Sequence, residues 1–102
     1  MNAIETQRRT LLGTWWRVPE EETGGAAVYR REGTPLPPAR GRDGFTLLEG
    51  GSAQVHGSGP TDRSTKTDSR WQLDAQGRLH VDGVSHLPSS VAALSDDRLT
   101  LT

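Results

Sequence analysis

Between residues 70 and 82, apolar and polar side chains alternate on both sides of a short turn. Trp71 and Leu73 fall on one face of an extended chain, with Arg70, Gln72 and Asp74 on the other. After Asp74-Ala75-Gln76-Gly77, Leu79 and Val81 point one way and Arg78, His80 and Asp82 the other. A two-residue period with one apolar face marks antiparallel strands with one side in water. The C-terminal stretch "SVAALSDDRLTLT" repeats the pattern, with Leu99 and Leu101 alternating with Thr100 and Thr102 behind a turn at Ser95-Asp96-Asp97-Arg98. In "GFTLLEGGSAQVH" two short runs flank Gly50-Gly51, the signal of a two-residue hairpin. "GTWWRVP", ending at Pro19, and "AAVYRRE", between Gly25 and Gly33, read as two further strands.

Helical spacing occurs at the start, where Ile4, Arg8, Leu11 and Leu12 recur within "AIETQRRTLL" and Gly13 can end the turn. About eight short strands with no helix pattern between them disfavour parallel βαβ folds. The expected fold is all-β: an eight-stranded antiparallel up-and-down β-barrel with a short N-terminal helix, forming one domain over residues 1–102. Closing the meander into a barrel hides its strand edges. Eight strands leave an interior that side chains fill or that holds one small ligand. Residues 57–70, "GSGPTDRSTKTDSR", carry no apolar run and read as a long polar loop.

Composition narrows the function. The hydrophobic fraction is 31%, so the core is thin. Twelve basic and thirteen acidic side chains give a formal charge of −1, which provides no overall field to gather nucleic acid or an anionic membrane. Without cysteine there is no disulfide, no thiolate chemistry and no Cys-based metal site. "MNAIETQRRT" has no apolar signal core, and no window approaches a membrane span. A soluble, cytoplasmic protein that uses no cofactor is expected.

The order of these pieces resembles the lipocalin-like barrels of the calycin group. A helical turn precedes Gly13-Thr14-Trp15, which looks like the Gly-x-Trp signature of their first strand. Gly50-Gly51, Trp71-Gln72-Leu73 and Asp97-Arg98-Leu99-Thr100-Leu101 are similar to the glycine turn, W-x-L strand and final D-x-L-x-L strand of small bacterial lipocalin-like domains. Pro60-Thr61-Asp62 is followed by Arg63 where that family has an aromatic residue. The resemblance implies structural roles for Gly13 and for Trp15, which plugs the closed end of the barrel in that family. It also implies that Arg98 stacks on Trp15, as a late arginine does there, and it implies a habit of binding small apolar molecules.

The candidate ligand-binding residues are Arg40, Arg42, Tyr29, Asp62 and Trp71. In "PLPPARGRDG" Pro35, Pro37 and Pro38 stiffen a connection that presents Arg40 and Arg42, two forks able to hold a carboxylate, phosphate or sulfate. Their bland alternative is pairing with Glu20, Glu21, Glu22 or Asp43. Asp62 either contacts ligand or those arginines, or makes a structural turn after Pro60. The Tyr29 hydroxyl either faces a cavity or sits at the rim of the core. Trp71 is either core or a stacking platform. Trp15 and Trp16 point to opposite faces of one strand; one belongs to the core, the other lies under the helix or in a patch for a partner. His56, His80 and His86 do not share one predicted face, so no metal site is expected. "GSGPTDRSTKT" fails the spacing of a phosphate loop, and the aromatics do not interleave with Arg30-Arg31 or Arg40 and Arg42 as nucleic-acid binding requires.

The function expected is non-covalent binding of a small, mostly apolar molecule with an acidic group, inside or at the mouth of the barrel, by a monomer or homodimer. Two rivals remain. One is a filled barrel acting as an interaction or dimerisation module, with Trp16 in the interface. The other is an isomerase- or cyclase-type enzyme in the same cavity, which requires a titratable group with a perturbed pKa inside the barrel.

Overall fold

A computed structural model describes residues 3–22, 24–35, 43–58, 64–84 and 87–102. Helix α1 (Ala3–Leu11) precedes eight strands: β1 (Gly13–Arg17), β2 (Ala27–Arg31), β3 (Gly44–Leu47), β4 (Ser52–Ser58), β5 (Ser64–Leu73), β6 (Leu79–Val81), β7 (Val91–Leu94) and β8 (Arg98–Leu101). Every paired register is antiparallel. The order around the sheet is β6-β5-β4-β3-β1-β2-β8-β7. The two ends of that order meet through the bridge Arg78↔Ser90 and through the Leu79 amide, which donates to the Ser89 carbonyl at 2.8 Å. The result is a nearly closed up-and-down barrel. β1 stands between β2 and β3, so those two strands are not neighbours in the sheet.

Alternation along each strand sets what lies inside. Trp15 opposes Arg31 on β2 and Phe45 on β3, Tyr29 opposes Leu99, and Ala27 opposes Leu101. Leu73 opposes Leu79, and Trp71 opposes Val81. The apolar residues among these, with Leu11, Leu47 and Ala53, form one cluster. The Tyr29 and Phe45 rings pack at 4.8 Å between centroids. The small hydrophobic fraction is thus spent on a single core made of large side chains.

The helix closes one end. Leu11 is fully buried, and Ile4 and Leu12 pack on the core beside it. Trp15 Nε1 donates to the Leu11 carbonyl at 2.8 Å. Arg31 donates to the Leu12 carbonyl at 2.6 Å and also to the carbonyls of Thr10 and Asp96, while its guanidinium lies 4.3 Å from the Trp15 ring centroid. Carbonyls left over at the helix end are thereby satisfied by side chains. Gly13 has φ +120, and a Cβ there would lie 2.6 Å from Arg31 Nη1, so the turn from helix to strand requires glycine.

Three expectations change. Arg98 does not stack on Trp15; it opposes Arg30 in the register and approaches Glu21 at 3.9 Å, because alternation puts Arg31, not Arg98, on Trp15's face. The turn at Gly50-Gly51 is longer than two residues. Glu49–Gly51 forms a 3-10 turn with both glycines at positive φ, closed by the Leu48 amide donating to the Ser52 carbonyl at 2.9 Å. Within the stretch read as a loop, residues 57–58 and 64–70 are strand, since β4 and β5 pair from Ser52↔Arg70 out to Ser58↔Ser64, while 59–63 lie outside the described residues. Thr and Ser fit an extended ladder, but a run of polar residues leaves no apolar period to read.

Candidate functional site

A groove of about 390 Å³ lies between α1 and the strand ends beneath it. Leu12, Trp71 and Leu73 supply its apolar wall, and Arg8, Arg9, Glu5 and Glu49 its charged rim. The helix places both arginines there. Glu5 in its first turn and Arg8 and Arg9 in its last match the helix dipole, and the same placement brings the guanidinium groups to the groove. Arg8 is held by Glu5 at 3.5 Å across one helical turn. Arg9 has no ion-pair partner among the described residues. Trp71 Nε1 donates to the Leu48 carbonyl at 2.7 Å, which fixes the indole; the side chain is otherwise buried in the core, with 6% of its surface exposed. Leu48 is 42% exposed beside it.

The predicted site residues part company. Trp71 lines the groove. Tyr29 lies in the barrel core, 2% exposed, and burial pushes its phenol up to about 12. Arg40, Arg42 and Asp62 lie outside the described residues, as does His86. Arg8, Arg9 and Leu12 were not singled out from the sequence. The signal available was "RRTLL", a basic pair one turn before two leucines at a helix end.

Beside Tyr29 sits an ion pair. Arg17, opposite Tyr29 in the register, donates from Nε and Nη2 to the Glu22 carboxylate at 2.8 and 3.0 Å. The Val28 amide donates to the same carboxylate at 3.1 Å. The hydrogen bond from Arg17 holds Glu22 below the usual carboxylate range, and the same bond raises Arg17. The Arg17 amide donates to the Asp43 carbonyl at 2.7 Å, which ties the start of β3 to this pair.

The outer face carries a polar chain. Thr14 and Thr46 hydroxyls lie 2.7 Å apart, and Thr46 Oγ1 lies 2.8 Å from His56 Nε2. Trp16, half-buried, stacks obliquely on His56 at 5.2 Å over Gly44 rather than under the helix. His80 pairs with Asp74 at 3.0 Å on a separate hairpin. Asp74 sits below the usual carboxylate range because the Arg78 amide, foremost, and then His80 donate to it. Among the described residues no three His, Asp or Glu side chains converge as metal ligands, and no helix is long and apolar enough to cross a membrane.

Comparison with protein-family models, with curated proteins and with solved structures gives no match.

Proposed function

We propose that this is a small lipocalin-like binding protein whose ligand sits at the helix-covered end of the barrel, in the groove between α1 and β5. The ligand class is a small, mostly apolar molecule with an acidic group. The observation that carries this reading is a fixed indole and two leucines facing a concavity beside Arg9. Its size falls in the range of roughly 300–1,000 Å³ typical of small-molecule sites, and apolar walls with a few polar anchors are what such sites use. The nearly closed barrel and the Gly-x-Trp segment at the helix end support the family resemblance. The tightly packed interior directs the reading away from the barrel's centre.

Arg9 is the anchor for the acidic group, with Arg8 partly neutralised by Glu5. Leu12, Leu73 and the Trp71 ring take the apolar body. A thermal-shift panel of fatty acids, aromatic acids, tetrapyrroles and organic phosphates, run on wild type, Arg9→Ala and Arg42→Ala, tests this. Ligand at about 100 times its dissociation constant adds roughly 2.7 kcal/mol, a shift of several degrees in a domain of this size. Stabilisation by apolar acids that Arg9→Ala removes and Arg42→Ala keeps is the expected result. Stabilisation lost only in Arg42→Ala moves the site to the proline-rich connection, and no stabilisation by any class removes the ligand-binding reading.

A further inference from the structure

The groove under α1 does not end at the glycine turn that bounds it. Gly50, Gly51, Trp71 and Gln72 line it, and the same four residues line a second concavity of about 470 Å³. Beyond the shared residues, this second hollow is bounded by Arg70, His80 and Asp82. A Cβ at Gly50 would meet nothing within 4 Å, so the boundary between the two hollows is there bare backbone with open space over it.

The hollows differ in chemistry, and strand alternation is the cause. Trp71, Leu73, Leu79 and Val81 turn into the core, which leaves Arg70, Gln72 and His80 on the outer face of β5 and β6. Gln72 stands across from His80 in the register, and His80 Nε2 lies 3.0 Å from Asp74, which orients the imidazole. Arg70 and Asp82 are tied through the backbone, where the Asp82 amide donates to the Arg70 carbonyl at 2.9 Å. Their exposed side chains form no ion pair with each other or with any other of the described residues. The hollow thus offers a guanidinium fork and a carboxylate, neither of them neutralised. The adjoining hollow, which Arg70 and Asp82 also line, adds Asp68. A simple anion here is drawn by Arg70 and repelled by the aspartates, and a simple cation meets the reverse. A group that carries both charges close together, as an amino-acid head does, satisfies both.

We propose that the two hollows form one elongated site, and that the ligand of the groove carries at its far end a zwitterionic head of the amino-acid type, with its carboxylate on Arg70 and its ammonium at Asp82. This rests on the reading of the groove as a ligand site and names the other end of the molecule it takes. That molecule is an apolar chain with an acid at one end, held by Arg9, and an amino acid at the other. Gln72 and His80 offer hydrogen bonds to the head between the two charges.

The test is isothermal titration calorimetry of the full chain with three probes of equal chain length: dodecanoic acid, dodecanedioic acid and the α-amino derivative of dodecanedioic acid. Wild type, Arg70→Gln, Asp82→Asn and Arg9→Ala are compared, with circular dichroism to confirm that each folds. Wild type binds the α-amino derivative about fivefold tighter than either other probe, the upper range for a solvent-exposed ion pair. Asp82→Asn brings the α-amino derivative and the plain diacid to one affinity, and Arg70→Gln weakens both. Neither change alters dodecanoic acid, which occupies the groove alone, whereas Arg9→Ala weakens all three. A wild type that holds dodecanoic acid as tightly as the α-amino derivative overturns the two-ended ligand and keeps the groove. A preference that survives in Asp82→Asn also overturns it, and places the head on Glu5 or Glu49 instead. If none of the three probes binds, the groove reading fails and the inference falls with it.

Discussion

Tyr29 and Arg31, two residues apart on one face of β2, show how a single side chain is committed by its surroundings. Arg31 stacks on Trp15 and donates to carbonyls at the end of α1, so Arg31→Ala removes a cation–π contact and several hydrogen bonds at once. The expected loss is about 2–3 kcal/mol in chemical denaturation, and Arg31→Lys recovers only a minor part because an ammonium lacks the planar fork. Tyr29 is neutral to about 12 in the folded barrel but ionises near pH 10 when unfolded. The folded state therefore holds the proton that the unfolded state has lost, and stability falls as pH rises from about 10 toward 12. Tyr29→Phe flattens this limb of a pH–denaturation curve. A Tyr29→Phe curve that still falls as steeply as wild type would show that another group is responsible. Glu22 carries the opposite sign: its pKa is lowered by Arg17, so its stabilisation is present above the ordinary carboxylate range and lost as pH falls. Glu22→Gln makes the acid limb shallower. Of the candidate residues, Trp71 took its place in the core as W-x-L alternation requires, with a small part of its surface at the groove. Tyr29 obeyed the same alternation and was buried, since the rule says which face is inward but not how full the interior is.

At the scale of elements, α1 and the β4–β5 hairpin have opposite characters. The helix is amphipathic and short, and its place depends on Leu11, fully buried at its end. An isolated helix of nine residues is marginal in water, so docking stabilises it. Leu11→Ala is expected to cost about 2–4 kcal/mol and to loosen the groove wall formed by Arg9 and Leu12; the matching readout is loss of helical far-UV signal before the strands melt. The helix was legible from Ile4, Leu11, Leu12 and Gly13. The outer half of the hairpin was not, because Ser, Thr, Lys and Asp have no apolar face whose period would announce a strand. Gly44 shows a third kind of constraint. A Cβ there would lie 2.3 Å from the Trp15 carbonyl and 2.7 Å from the Trp16 ring, so Gly44→Ala forces β3 away from β1. A loss of about 2–3 kcal/mol is expected, and a melting temperature equal to wild type would contradict the close approach.

The whole molecule is a ring of strands with one weak seam. Between β6 and β7 the ladder shrinks to the Arg78↔Ser90 bridge and the bond from the Leu79 amide to Ser89, whereas β1 has full partners on both sides. Native-state hydrogen exchange is expected to be fastest at this seam and slowest in β1 and β3, and uniform protection around the barrel would rule out the seam as the first place to open. Local patterning in the chain was enough to set the number of strands, their antiparallel pairing in hairpins, the helix that precedes them, and the shared apolar faces of Trp71 with Leu73 and of Leu99 with Leu101. Those properties depend on a two-residue period and on turn residues, both written within a few positions of each other. Tertiary structure alone decided that β1 stands between β2 and β3, that Arg31 rather than Arg98 covers Trp15, that Tyr29 packs on Phe45, and that Arg9 and Trp71 line one groove. Each of these joins residues far apart in the sequence, and their meeting is set by barrel closure, which no local period encodes.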